Sequence, residues 1–165
     1  MGYPRFWTSK DKQMNHRFEN LSPKFYGISM IPKELWKEYG YVLLNIAGSD
    51  GEVSDEELEW LTVECAEAVG VSEEIIDKWE NFEYDEDELE ELFFNINSAS
   101  FANFNKLLIY DAIRMASADG DYAEDEKEQV YNAARIMKVP PEAVTAIEAL
   151  VEMEQAADKL RFTLL

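Results

Sequence analysis

Ala47-Gly48-Ser49-Asp50-Gly51-Glu52-Val53-Ser54-Asp55-Glu56-Glu57 and Ala116-Ser117-Ala118-Asp119-Gly120-Asp121-Tyr122-Ala123-Glu124-Asp125-Glu126 are one phrase written twice. Each copy closes an apolar helical stretch, turns at Asp-Gly, and opens a second stretch with a glutamate seven residues after the aspartate. Glycine after aspartate lets the chain turn through left-handed backbone between two helices. Ser54 and Glu57 have the spacing of a capping box, in which hydroxyl and carboxylate each satisfy a free backbone N–H. The repeated phrase predicts an all-α fold, built from two tandem helix–Asp-Gly turn–helix pseudo-repeats over about residues 33–80 and 101–152.

Working outward, apolar residues recur at intervals of three and four from Pro32 onward, and no stretch alternates as a strand would. Leu35, Tyr39, Val42, Leu43 and Ile46 precede the first turn; Leu58, Leu61, Cys65 and Ala68 follow it, with Gly70 as the stop. Ser72 opens a short helix with Ile75, Ile76 and Trp79, and Leu89, Leu92, Phe93 and Ile96 mark another. Ser100 caps a helix carrying Phe101, Phe104, Leu107, Leu108, Ala112 and Met115. Val130, Ala133, Ala134 and Met137 follow the second turn, and Pro140-Pro141 starts a last helix through Val144, Ile147, Leu150 and Val151. About seven helices are expected. Cys65–Val71 matches Ala133–Val139, but with a one-residue gap relative to the alignment of the turns. The terminal run Leu160–Leu165 is apolar and is expected to pack, the alternative being a docking peptide. Of Trp36 and Trp60, one is expected at the surface.

The net charge is −20. Residues 1–40 hold seven Lys/Arg against four Asp/Glu, leaving −23 on the other 125 residues. That balance opposes nucleic acid, whose phosphates need basic counterparts, and favours cations or a basic protein partner. Residues 1–31 form an irregular basic arm bearing Tyr3, Phe6, Trp7, Phe18, Phe25 and Tyr26, expected to dock on the helical domain spanning 32–165. Eight acids between Glu80 and Glu91 read as a solvated helix start. A single cysteine, Cys65, precludes an internal disulfide and fits a reducing compartment. With no signal-peptide pattern and no run of transmembrane length, a cytoplasmic protein without membrane insertion is expected.

The twice-occurring Ala-x-x-Asp-Gly-x-φ-x-x-x-Glu, about 70 residues apart among helices, resembles the TerB family of tellurite-resistance proteins, over roughly residues 33–152. A related domain stands at the N-terminus of a membrane-anchored DnaJ-type co-chaperone. The resemblance implies a compact helical fold, clustered acids proposed to hold a metal, and a place in stress-response complexes. Carried over by position, the motif acids are Asp50, Glu57, Asp119 and Glu126.

The spacing is also that of the second half of a calcium-binding EF-hand loop. Its leading carboxylates are missing, because Ile46, Gly48, Met115 and Ser117 stand in their places, so a standard EF-hand is rejected. Two readings of the turns remain. In one, Asp50, Glu52 and Glu57, with Asp119, Asp121 and Glu126, form an oxygen site for Ca²⁺ or Mg²⁺, the two turns converging or acting separately. In the other, the aspartates bond their own turns and the glutamates cap helices. Catalysis is not expected. His16 is the only histidine, no phosphate loop is present, and Cys65 lies among apolar residues as a buried thiol. The chain therefore reads as a non-enzymatic binding or scaffold module with no organic cofactor. Its rivals are an acidic interaction domain with purely structural turns and a metal-dependent hydrolase.

Overall fold

The computed structural model describes residues 33–83, 91–92 and 104–165. They form six helices and no strand. After a 3-10 turn at Lys33–Leu35, α1 is Trp36–Ala47. A second 3-10 turn, Gly48–Asp50, leads to α2, which runs through Asp55–Glu59, a π-helical stretch Trp60–Cys65, and Ala66–Val69. Then come α3 (Glu73–Glu80), α4 (Phe104–Ala116), α5 (Glu124–Ile136) and α6 (Pro141–Leu164). The arm, Ser100, Phe101, and most of the acidic run and of the helix expected around Leu92 lie outside the described residues.

The core follows the sequence periodicity. Tyr39, Val42, Leu43 and Ile46 on α1 meet Leu108, Ala112 and Met115 on α4, all at most 1% exposed. The other helices close around this pair. α6 covers α4 through Val144 and Val151, and α5 spans α1, α4 and α6 through Val130, Ala133 and Ala134. α3 is seated on α1 by Trp79, whose indole N–H donates to the Lys37 carbonyl at 3.2 Å. Gly40 makes room for it, because a Cβ there would stand 2.1 Å from the indole.

The two halves repeat local geometry at both ends of the helix that follows each turn. Gly51 and Gly120 carry φ of 112° and 90°, in the left-handed region that glycine tolerates. The stops match as well. Gly70 (φ 80°) and Lys138 (φ 57°) are left-handed, and Val71 N–H and Val139 N–H reach back to the carbonyls of Ala66 and Ala134. Between these fixed ends, Gly51 to Gly70 and Gly120 to Lys138, the first half has one residue more, and the π-helical stretch Trp60–Cys65 absorbs it. The one-residue gap between the halves is thus a widened helical turn, not a lengthened loop.

Three expectations are corrected. Trp36 and Trp60 are both buried. The second half closes with a helix of 24 residues where the first has eight. The run 160–165 does not pack: α6 carries it away from the body, and Leu160, Phe162, Leu164 and Leu165 are exposed. Val144, Ile147 and Val151 set the face that α6 presents to the described core, and all lie before residue 160.

Candidate functional site

The acids singled out from the sequence divide into caps and surface groups. Glu57, 2% exposed, accepts the Ser54 backbone N–H at 2.7 Å, while the Ser54 hydroxyl oxygen accepts the Glu57 N–H at 3.2 Å. Glu126, also 2% exposed, accepts the Ala123 N–H at 2.8 Å, but alanine returns no side-chain bond. Asp119 accepts the Asp121 N–H at 2.8 Å, holding its own turn. Glu52 and Asp121 are exposed, and the Asp50 side chain lies outside the described residues. Among the described residues, no three His, Cys, Asp or Glu side chains are gathered to hold a metal ion.

More chemistry lies where each half meets the other. Asn45 and Arg114 stand five residues before the two aspartates, and Trp60 and Gln129 three after the two glutamates. At the second seam Arg114, from α4, lies over the Trp60 ring of α2 with 5.0 Å between guanidinium carbon and centroid, and over Tyr110 at 5.2 Å. The positions equivalent to this pair at the first seam are Asn45 and Gln129. Tyr131 of α5 bonds Thr145 and Glu148 of α6, each at 3.1 Å. Two residues along a helix is a rotation of ~200°, so Gln129 is turned the other way, toward α1 and the Gly48–Asp50 turn that pack on α5. Asn45 Oδ1 on α1, Ser49 Oγ in that turn and Gln129 Oε1 on α5 are buried without a hydrogen-bond partner among the described residues, as are Glu38 Oε2 and Asp111 Oδ1. Asn45 uses only its amide N–H, donated to the Tyr41 carbonyl at 2.9 Å.

The second seam is charged instead. Asp111 is 2% exposed, accepts the Tyr39 hydroxyl at 2.5 Å, and has Arg114 at 3.6 Å. Burial pushes its carboxyl up to about 6, against the opposing pull of Arg114 and the Tyr39 hydrogen bond. The same burial, reinforced by the Asp111 charge, raises the Tyr39 hydroxyl and the Cys65 thiol. Cys65 is accordingly a protonated, buried thiol and a poor nucleophile, as its apolar surroundings predict. Next to this cluster a cavity of about 250 Å³ opens between α2, α4 and α6, lined by Trp60, Glu64, Arg114, Glu154 and Asp158 among others. A second cavity of about 170 Å³ adjoins it at Ser117, Val151 and Gln155 and adds Tyr122, Lys127, Glu148 and Glu152.

A family model described as tellurite resistance protein TerB matches residues 41–149, taking in both turns and both seams. The chain belongs to the TerB family. The crystal structure of a tellurite resistance protein from Nostoc punctiforme is similar throughout, with a TM-score of 0.73 and 28% identity over 93% of this chain and 94% of that one. No curated protein matches the chain. No helix among the described residues of this TerB-family chain is long and apolar enough to cross a membrane.

Asn45, Gln129, Asp111 and Arg114 are absent from the sequence reading, which followed acids in the turns. A signal was present. Superposing the two phrases pairs Asn45 with Arg114 and Val42 with Asp111, and a charged residue opposite a neutral one in a repeated helix marks where the halves diverge.

Proposed function

We propose that this chain is a non-enzymatic TerB-type binding module of a cytoplasmic stress-response complex, and that its first seam holds one divalent cation, Ca²⁺ or Mg²⁺. The carrying observation is the set of three buried, unpartnered oxygens, Asn45 Oδ1, Ser49 Oγ and Gln129 Oε1. A buried polar atom left unpaired costs about 1–3 kcal/mol, and hard cations take neutral carbonyl and hydroxyl oxygens together with carboxylates. Glu52, just after the first turn, and Glu126, on the helix against which that turn packs, carry negative charge. At the second seam the position equivalent to Asn45 is Arg114, and a fixed positive charge there disfavours a second ion.

Calorimetric titration of the chelator-treated protein with Ca²⁺ and with Mg²⁺ tests this. The expected result is one saturable site, abolished by Gln129→Leu and retained by Asp119→Asn, with helix content unchanged by circular dichroism. Absence of binding by the folded wild-type chain, or equal loss in both variants, defeats the proposal.

A second reading rests on the two adjoining cavities. Their lining carries Glu64, Glu148, Glu152, Glu154 and Asp158 against two cations, Arg114 over Trp60 and Tyr110, and Lys127 over Tyr122. Such a groove suits a Lys/Arg-rich segment of a basic partner. Binding of a basic peptide that weakens with salt and with Glu152→Lys supports it; salt-independent or absent binding removes it.

A further inference from the structure

Among the described residues, the second half of α6 has an uncharged, largely exposed face that no other helix covers. Val144 and Val151 fix the side of this helix that meets the body. On the side rotated by ~160° from them at 3.6 residues per turn stand Ala146, Leu150, Met153, Ala157, Leu160 and Leu164. Their spacing is four, three, four, three and four, the seam of a two-stranded coiled coil. Met153, Leu160 and Leu164 are 64%, 59% and 74% exposed, and Leu150 is exposed as well. On a chain of net charge −20, a face of this length free of Asp, Glu, Lys and Arg is an interaction surface.

We propose that this stripe pairs with the same stripe of a second copy, antiparallel, about a twofold axis near Gln155. Three observations select that occupant. A strict heptad seam is self-complementary, and antiparallel registration sets large against small in the central layers, Met153 against Ala157 of its partner. It also sets Leu150 against the partner's Leu160, and Ala146 against its Leu164. The charges on α6 are graded: Glu142, Glu148, Glu152 and Glu154 occupy the first part with no base among them, while Lys159 and Arg161 lie beyond with one acid, Asp158, which pairs with Arg161. Antiparallel pairing brings the acidic part of one helix beside the basic part of the other, whereas parallel pairing stacks acid on acid. Finally, Glu154 and Arg161 share one flank of the stripe, seven residues apart. That flank faces its own counterpart only in the antiparallel arrangement, where Glu154, which already accepts the Tyr110 hydroxyl at 2.5 Å, lies beside Arg161 of its partner.

Sedimentation equilibrium of the full chain is the test. A monomer–dimer equilibrium is expected, with Leu160→Glu raising the dissociation constant by about a hundredfold or more while helix content holds and the melting temperature loses its dependence on protein concentration. Orientation is read by oxidation of Leu150→Cys and Leu160→Cys chains. A disulfide in their mixture that neither chain forms alone supports the antiparallel pair. A chain that is monomeric at every concentration, a dimer indifferent to Leu160→Glu, or a Leu150→Cys chain that cross-links to itself overturns it.

Discussion

The two seams occupy matching places in the two halves and are built from different chemistry. At the first, an asparagine, a serine and a glutamine leave buried oxygens without hydrogen-bond partners among the described residues. At the second, Arg114 is held between Trp60 and Tyr110 and neutralises a buried aspartate whose counterpart, Val42, is apolar. The same backbone scaffold therefore carries one charged cluster, in which Asp111 Oδ1 meets Arg114 at 3.6 Å without a hydrogen bond, and one set of neutral acceptors. Repetition of a fold does not require repetition of a site, because a turn constrains the residues that form it and leaves the facing helix free to vary.

The sharpest way to break this contrast is to truncate one residue at each seam. Arg114→Ala leaves Asp111 buried without its cation and is expected to cost about 3–5 kcal/mol. Asn45→Ala removes one of the unpartnered oxygens and one local bond, and is expected to cost no more than about 1 kcal/mol. Urea unfolding with a constant m-value checks both. Equal losses would show that the two seams contribute alike to stability.

Asp111 adds a pH signature that the first seam lacks. Its folded carboxyl titrates near 6, above the usual 3.8, so between these values the folded state holds a proton that the unfolded state has released. Stability conferred by the protonated form is present below about pH 4 and is lost as pH rises to about 6, by on the order of 3 kcal/mol. Self-repulsion among the ionising acids acts in the same direction. Asp111→Asn is expected to flatten the part of the curve due to this residue, measured as unfolding free energy at pH 4, 5, 6 and 7. An unchanged slope would assign the whole pH dependence to surface charge.

Smaller effects test how alike the helix ends are. Ala123→Ser completes the capping box that Ser54 and Glu57 already form, and is expected to stabilise by about 0.5–1 kcal/mol, with Ser54→Ala losing a similar amount. Lys138→Gly relieves a left-handed lysine at the position where the first half has Gly70, for a gain of about 0.5–1 kcal/mol. Thermal melts of the single and paired variants measure these gains. Failure of Ala123→Ser to stabilise would mean that Glu126 alone already satisfies that helix start.

Much of the fold was legible because it rests on local rules. Three-and-four periodicity predicts α1 and α4 as helices with one apolar face each, Ser54 and Glu57 announce a helix start, and Gly70 and Pro141 mark a stop and a start. The gap between Cys65 and Ala133 was visible in the alignment, but its form was not. A π-helical turn and a longer loop insert the same one residue, and packing against α3 and α4 chooses between them. Trp36 and Trp60 were misread for a related reason, since helical spacing says which face a residue shares but not how many neighbours converge on that face.

The amino-acid sequence by itself determined most of the helices, the two Asp-Gly turns and the Ser54–Glu57 helix start, since each depends on residues within about two helical turns of one another, and the recurrence of the phrase about 70 residues on carried the likeness to the TerB family. Only the tertiary structure decided that Glu57 and Glu126 are buried, that Arg114 meets Trp60 while Asn45 and Gln129 belong to one seam, and that α6 carries an apolar stripe away from the body. Those relations join residues far apart in the chain. They are set by which helix faces the core can accommodate, and burial then governs both the Asp111 proton and the exposure of Leu160.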